Sequence, residues 1–203
     1  MPATLAVPRQ KRAIESYERL LRAAQTILQR DGYEGLTTNT IAQEAGLTPP
    51  TCYRYFEDKQ SVLVVLAERL MAAQNTLAVE RITRFEGTAD QAAALVRDLF
   101  AADIAVTRDF VASHELMVLM RALPGLRAVR LASHDRMAQQ LIAAGQEFLP
   151  DQDPQVLAIR ARLAVELYYS THEMLAETGY DRQTEMIEQA ARIIGAMLLG
   201  KDL

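Results

Sequence analysis

The chain has 203 residues, half of them hydrophobic, and a formal net charge of −4. That length holds one large or two small domains, and no stretch approaches the roughly 18 consecutive apolar residues of a membrane span, so no membrane partner is expected. The opening MPATLAVPRQKR has no charged segment leading into an apolar one, and the lone cysteine permits no internal disulfide and no thiolate-rich zinc site, so the expected compartment is the cytoplasm.

The predicted elements are helical from end to end. Ile14, Tyr17, Leu21, Ala24 and Leu28 recur by three and four, which gives a first helix one apolar stripe, and Gly32 ends it. Thr37 offers a hydroxyl N-cap to a short second helix with Ile41, Ala42 and Ala45 on one face. Gly46 supplies a left-handed C-cap, and Leu47 drops into the angle that follows. Thr48 then caps a third helix opening on Pro49 and Pro50, which have no amide hydrogen to leave unpaired. This helix carries Tyr53, Arg54 and Tyr55 and meets Phe56 and a new cap at Asp58.

A fourth helix is predicted from Lys59 to Phe85, closed by Gly87. Thr88-Ala89-Asp90-Gln91 fits a capping box and opens a fifth, to Arg108. A sixth covers Phe110 to Ala122, and Pro124 begins a seventh that reaches Phe148. Asp153-Pro154 opens an eighth, ending at Thr178-Gly179, and a ninth runs from Asp181 to Gly200. No alternation typical of strands is present. The fold class is therefore all-α, with about nine helices in a three-helix head over residues 1–59 and a helical domain over 60–203. No Gly/Pro/Ser-rich linker separates them, so the boundary falls inside the fourth helix, a stiff connector rising about 1.5 Å per residue.

A short helix pair that presents hydroxyls, aromatics and cations at its second N-terminus is a helix-turn-helix, suited to a DNA major groove. Charge agrees modestly: residues 1–59 hold eight Lys/Arg and seven Asp/Glu, the remainder fourteen and nineteen. The candidate DNA-facing residues are Thr37, Thr38, Asn39, Thr48, Pro49, Pro50, Thr51, Tyr53, Arg54, Tyr55 and Lys59. Asn39, Thr48, Thr51 and Tyr55 are placed to reach base edges; threonine and proline can read thymine methyls, and Asn39 can pair with adenine. Capping alone also accounts for Thr37 and Thr48, and core packing for Tyr53.

Leu36–Lys59 resembles the DNA-binding core of the tetracycline-repressor (TetR) family of transcriptional regulators. The matching residues are Asp31-Gly32-Tyr33-Glu34-Gly35, Thr37-Thr38-x-x-Ile41-Ala42, Ala45-Gly46-Leu47, and Thr51-Cys52-Tyr53-Arg54-Tyr55-Phe56 followed by Lys59. Cys52 stands where leucine is usual, and Pro49-Pro50 where many members carry a Ser/Lys-Gly pair. The resemblance implies that Thr37, Tyr53 and Lys59 clamp phosphates, which position the protein without reading sequence.

Outside the head, His114-Glu115, His134-Asp135 and His172-Glu173 place histidine beside acid. Neighbours on a helix diverge by about 100°, so none is a ready acid–base pair. No Glu-x-x-His, H-E-x-x-H, glycine-rich phosphate loop or G-x-S-x-G occurs. No catalytic residue, metal ligand or cofactor is assigned, and an enzyme is not expected. Leu99, Phe100, Ile104, Phe110, Met117, Met120, Leu126 and Met137 form an apolar, methionine-rich set that serves equally as plain core. The resemblance implies an effector pocket there, with Phe110, Met117, Met120 and Tyr168 at its border and Arg121 and His172 as polar anchors.

The last two helices carry a wide apolar surface. Leu163, Leu167 and Met174 on one, with Ile187, Ala190, Ile194 and Met197 on the other, are the candidate dimer contacts; a helix buried within its own chain is the other explanation. The resulting expectation is a homodimeric repressor on double-stranded operator DNA of pseudo-palindromic sequence, released by a small hydrophobic or amphipathic effector. Its rivals are a helical interaction protein of the same fold that no longer binds specific DNA, and an enzyme on a helical scaffold.

Overall fold

A computed structural model of the chain describes residues 8–82, 88–177 and 183–200. Among them are nine helices and no strand: α1 (Lys11–Gly35), α2 (Thr38–Glu44), α3 (Pro49–Tyr53), α4 (Lys59–Ile82), α5 (Ala89–Asp109), α6 (Ser113–Ala122), α7 (Pro124–Phe148), α8 (Pro154–Glu177) and α9 (Gln183–Leu199). The all-α expectation holds. The ends expected at Gly87, at Thr178-Gly179 and at Asp181 lie outside the described residues. Two compact units emerge, one drawn from Met1–Met71 and Arg108–Arg130, the other from Ala72–Thr107 and Leu131–Leu203.

In the first unit α1 buries Tyr17, Leu20, Leu21, Ala24, Ile27 and Leu28, while Ile14, at the start of the expected stripe, stays 41% exposed. Gly32 takes φ +70°, and a Cβ there would meet nothing within 4 Å, so glycine is needed for the backbone conformation alone. The head is closed by local hydrogen bonds. Thr37 and Thr40 form a reciprocal box, with the Thr40 amide donating to Thr37 Oγ1 at 3.0 Å and the Thr37 amide to Thr40 Oγ1 at 2.9 Å. At the other end of α2, Leu47 N donates to Ala42 O at 2.8 Å and Gly46 N to Gln43 O at 2.9 Å, with Gly46 at φ +62°. That is a Schellman stop. Arg19 adds its guanidinium to the carbonyls of Ala45 and Gly46, where the helix dipole favours a cation.

Thr48 differs from expectation. It is the N-cap residue of α3, yet its side chain caps nothing. Pro49 and Pro50 have no amide to offer, and the Thr51 amide already donates to Thr48 O at 2.9 Å, so the Thr48 and Thr51 hydroxyls pair with each other at 3.0 Å. Asp58 caps α4 as expected, accepting from the Ser61 amide at 2.8 Å and donating its own amide to Ser61 Oγ at 3.1 Å. Phe56 fills the space between, fully buried and stacked on Tyr17 at 5.1 Å. α6 starts later than expected because Ala112 takes a left-handed φ of 61° just before it, and it buries Leu116, Met117 and Met120.

In the second unit the box at the start of α5 forms as expected: Gln91 N donates to Thr88 Oγ1 and Thr88 N to Gln91 Oε1, each at 3.3 Å. Asp153 Oδ1 accepts from Gln155 N at 2.8 Å ahead of α8. The core gathers Val96 and Phe100 of α5, Ala164 and Leu175 of α8, and Ala190, Ala191 and Ile194 of α9. Gly195 lets α9 come against α5, since a Cβ there would sit 3.0 Å from the Ala93 amide nitrogen and 3.2 Å from Ala92 Cβ. Part of the wide apolar surface of α9 is thus used inside the chain.

Candidate nucleic-acid interface and candidate pocket

In the head, Asn39, Thr48, Pro49, Pro50 and Arg54 are exposed, and Thr51 is half-buried. Tyr53 is 50% exposed, so it is not a core residue. Thr38 is itself buried, and its hydroxyl donates to Tyr53 Oη at 2.9 Å. This bond fixes the tyrosine and leaves its phenolic proton for an outside acceptor, while Thr38 is removed from the surface. Thr37 is exposed at the start of α2. The Lys59 ammonium donates to Tyr33 O at 3.2 Å and lies 3.8 Å from the Tyr33 ring centroid, which holds the cation beside the end of α1.

Tyr55 requires a correction. Expected to reach base edges, it is only 4% exposed, with its ring edge-on to Tyr17 at 5.7 Å. Arg54 donates to its hydroxyl at 2.9 Å and lies over the ring at 4.9 Å. The physical reason is that α3 ends at Tyr53, so Tyr55 lies in the turn that follows it, where the contact with Tyr17 draws its ring inside. Arg12, Arg19 and Arg54 line an open cleft with Gln10, Glu15 and Ser16, so three guanidiniums face one carboxylate there.

Among the described residues of the second unit, a narrow pocket is lined by Gln74 of α4, Leu95, Val96, Leu99 and Asp103 of α5, Met137 and Leu141 of α7, Ala164, Val165, Tyr168 and Tyr169 of α8, and Ile194 of α9. Its polar groups converge on one carboxyl. Tyr168 donates to Asp103 Oδ2 at 3.3 Å, and His172 Nε2 lies 3.6 Å from the same oxygen. Gln74 Nε2 donates to Thr107 Oγ1 at 3.0 Å, and that hydroxyl lies 3.4 Å from His172 Nε2. Burial pushes the Asp103 carboxyl up to about 7, against the opposing pull of Tyr168 and Gln74. Burial also pushes His172 down to about 4, so its ring is neutral at pH 7. Asp103 Oδ1, Gln74 Oε1 and His172 Nδ1 are buried without a hydrogen-bond partner.

Of the six residues named from sequence for a pocket, Tyr168 lines this one and His172 backs it. Phe110, Met117, Met120 and Arg121 belong to the first unit, where Met117 and Met120 are buried and Arg121 is exposed. Asp103 and Gln74 were missed. A signal existed: Asp103 and Thr107 continue the apolar stripe of Val96 and Phe100 at helical spacing, so each is a polar side chain at a core-facing position.

Leu163 and Met174 of α8 are 53% and 45% exposed, and Val156 and Ile159 of the same helix are exposed as well. Leu167, Ile187 and Met197 are half-buried. Ala190 and Ile194 are only 6% and 3% exposed within the single chain.

Residues 20–66 match the family described as bacterial regulatory proteins, tetR family. The chain is similar to the class A tetracycline repressor protein of transposon 1721 from Escherichia coli, 37% identical over 62 residues, which is 30% of this chain and 29% of that protein. The likeness therefore spans under a third of the relative's length. Over nearly the whole chain the helices superpose on Salmonella enterica GusR, with a TM-score of 0.64, 18% identity, and coverage of 98% of this chain and 100% of that one. SmeT, solved as a complex with triclosan, gives a TM-score of 0.63 at 18% identity, covering 87% of this chain and 89% of its own. The helix-turn-helix head of the chain thus matches the tetR family of bacterial regulatory proteins over residues 20–66, and its nine described helices share the fold of these two solved structures.

Proposed function

We propose that this chain is a homodimeric transcriptional repressor that binds a pseudo-palindromic operator and leaves it when a small molecule occupies the pocket of the second unit. The observation that carries the reading is the coincidence of the family match at residues 20–66 with a rigidly capped helix pair whose outer face bears Asn39, Thr48, Pro49 and Pro50. Exposed side chains there have little to do for folding, whereas DNA recognition needs them. Two heads would enter successive major grooves, about 34–36 Å apart.

Dimerisation would use Val156, Ile159, Leu163 and Met174, the exposed apolar residues of α8. The groove beside them, lined by Leu167, Met174, Met186 and Ile193, gives α8 and α9 a continuous face for a second copy. SmeT, which shares this fold, was solved with triclosan, and this supports a small-molecule ligand for the chain. A ligand preferring the state with a different head spacing would shift the population off DNA, with a coupling of about 1–3 kcal/mol.

Tyr53 and Lys59 provide the test. Tyr53→Phe and Lys59→Ala should weaken binding to all duplexes alike, and Lys59→Ala should lower the slope of log affinity against log salt by about one. Gel-shift titration over a salt series, with folding checked by thermal melting, measures both. Unchanged affinity in both variants removes them from the contact surface.

A further inference from the structure

We propose that the pocket of the second unit takes a slender apolar molecule carrying one cationic amine, with Asp103 as its counter-charge. This rests on the reading of that pocket as the effector site and names the chemistry it selects.

Most of the lining is hydrocarbon: Leu95, Val96, Leu99, Met137, Leu141 and Ile194 supply the body of the site. Into this wall projects a carboxyl that is 3% exposed and has one oxygen, Oδ1, without a hydrogen-bond partner. A buried polar atom left unpaired is costly in a folded protein, and a ligand group that pairs with it recovers that cost. The groups around Asp103 do not supply a cation. α4 brings Gln74; α5 brings Thr107 one turn on; α8 brings Tyr168, Tyr169 and His172; α7 and α9 bring Met137, Leu141 and Ile194. Among the described residues no lysine or arginine lines the pocket, and the charge of Arg136 on α7 is felt at Tyr169. His172, the nearest basic group, is held neutral by its own burial.

A carboxylate ligand would face Asp103 as a like charge. A neutral alcohol would gain one hydrogen bond. An ammonium gains both the hydrogen bond and the charge, in a site with little water to weaken either. Because Asp103 titrates near neutrality when the pocket is empty, binding a cation must drive its proton off. Size sets the other limit. The cavity volume is about 60 Å³, less than the roughly 150 Å³ of an apolar cavity that admits benzene. A ligand therefore has to be slender.

Octylamine, octanol and octanoate share one chain and differ in head group. Titrated calorimetrically into the 203-residue chain at pH 7, octylamine should bind about tenfold to a hundredfold more tightly than octanol, and octanoate most weakly. Asp103→Asn should remove the advantage of octylamine and leave octanol little changed. In the unaltered protein, titration in two buffers of different ionisation enthalpy should show proton release with octylamine and none with octanol, a readout independent of how the variant folds. Equal binding of octylamine and octanol, or an equal loss for both in Asp103→Asn, overturns the charge preference and leaves the effector reading standing. Failure of all three to bind overturns both, while DNA binding by the head is judged separately in the gel shift.

Discussion

Phe56→Ala is expected to destabilise the head by about 3–5 kcal/mol and to abolish DNA binding. Phe56 is fully buried, stacks on Tyr17 at 5.1 Å, and stands between the end of α3 and the Asp58 cap of α4. Removing its ring opens a cavity where the helix pair meets α1. Tyr17, on which the ring stacks, is also held edge-on by Tyr55, which limits how far it can move to close the space. Since domains are stable by only about 5–15 kcal/mol, a loss of this size leaves a head with a substantial unfolded fraction. Phe56→Leu, which keeps most of the volume, should cost about 1.5 kcal/mol or less. Urea denaturation of the two variants, alongside a gel shift, gives the comparison; a Phe56→Ala protein as stable as the unaltered one contradicts this account of the head core.

The second large effect is on stability against pH, through Asp103 and His172. Their shifts pull in opposite directions. His172 has its ordinary 6.5 lowered to about 4, so the unfolded chain takes up a proton that the folded one refuses, and stability is lost as pH falls from 6.5 through 4. Asp103 has its ordinary 3.8 raised to about 7, so the folded chain keeps a proton that the unfolded one has released, and stability is lost as pH rises from 3.8 through 7. Between pH 4 and 6.5 the two slopes nearly cancel, and the pair contributes a flat profile. Each substitution exposes the other slope. Asp103→Asn should grow more stable from pH 4 to 6.5, by on the order of 3 kcal/mol relative to the unaltered protein. His172→Gln should lose stability from pH 4 to 6.5, by on the order of 3 kcal/mol relative to the unaltered protein. Tyr168, Gln74 and Thr107 surround the pair in all three proteins and drop out of the difference. Urea denaturation over this pH range measures it, and parallel profiles for all three proteins contradict the assignment.

Local signals were the readable part of this chain. Thr37, Gly46, Asp58 and Thr88 each act within four residues of themselves, and each does what its side chain or missing Cβ dictates. Thr48 failed because two prolines removed the amides its hydroxyl would have met. Facing was harder. Tyr53 and Tyr55 are chemically alike and two residues apart, and only the position of Tyr17 decides that one is half-exposed and the other buried. On α9, apolar side chains run round the helix, so periodicity could not tell that Gly195 and Ile194 turn towards α5. The pocket was least legible, because it depends on which of several apolar stripes converge across four helices. Asp103 could have been singled out, as an acid on a stripe otherwise occupied by Val96 and Phe100.

If the head reads duplex DNA as one half of a symmetric pair, as proposed, the sequences it binds carry that symmetry. The most direct measurement is selection of bound duplexes from a random pool by the 203-residue chain, followed by titration of the recovered sequence across a salt series. The expected result is an enriched inverted repeat with half-site centres about one helical turn apart, and an affinity that falls steeply as salt rises. A pool without an enriched sequence, together with binding indifferent to salt, would contradict it.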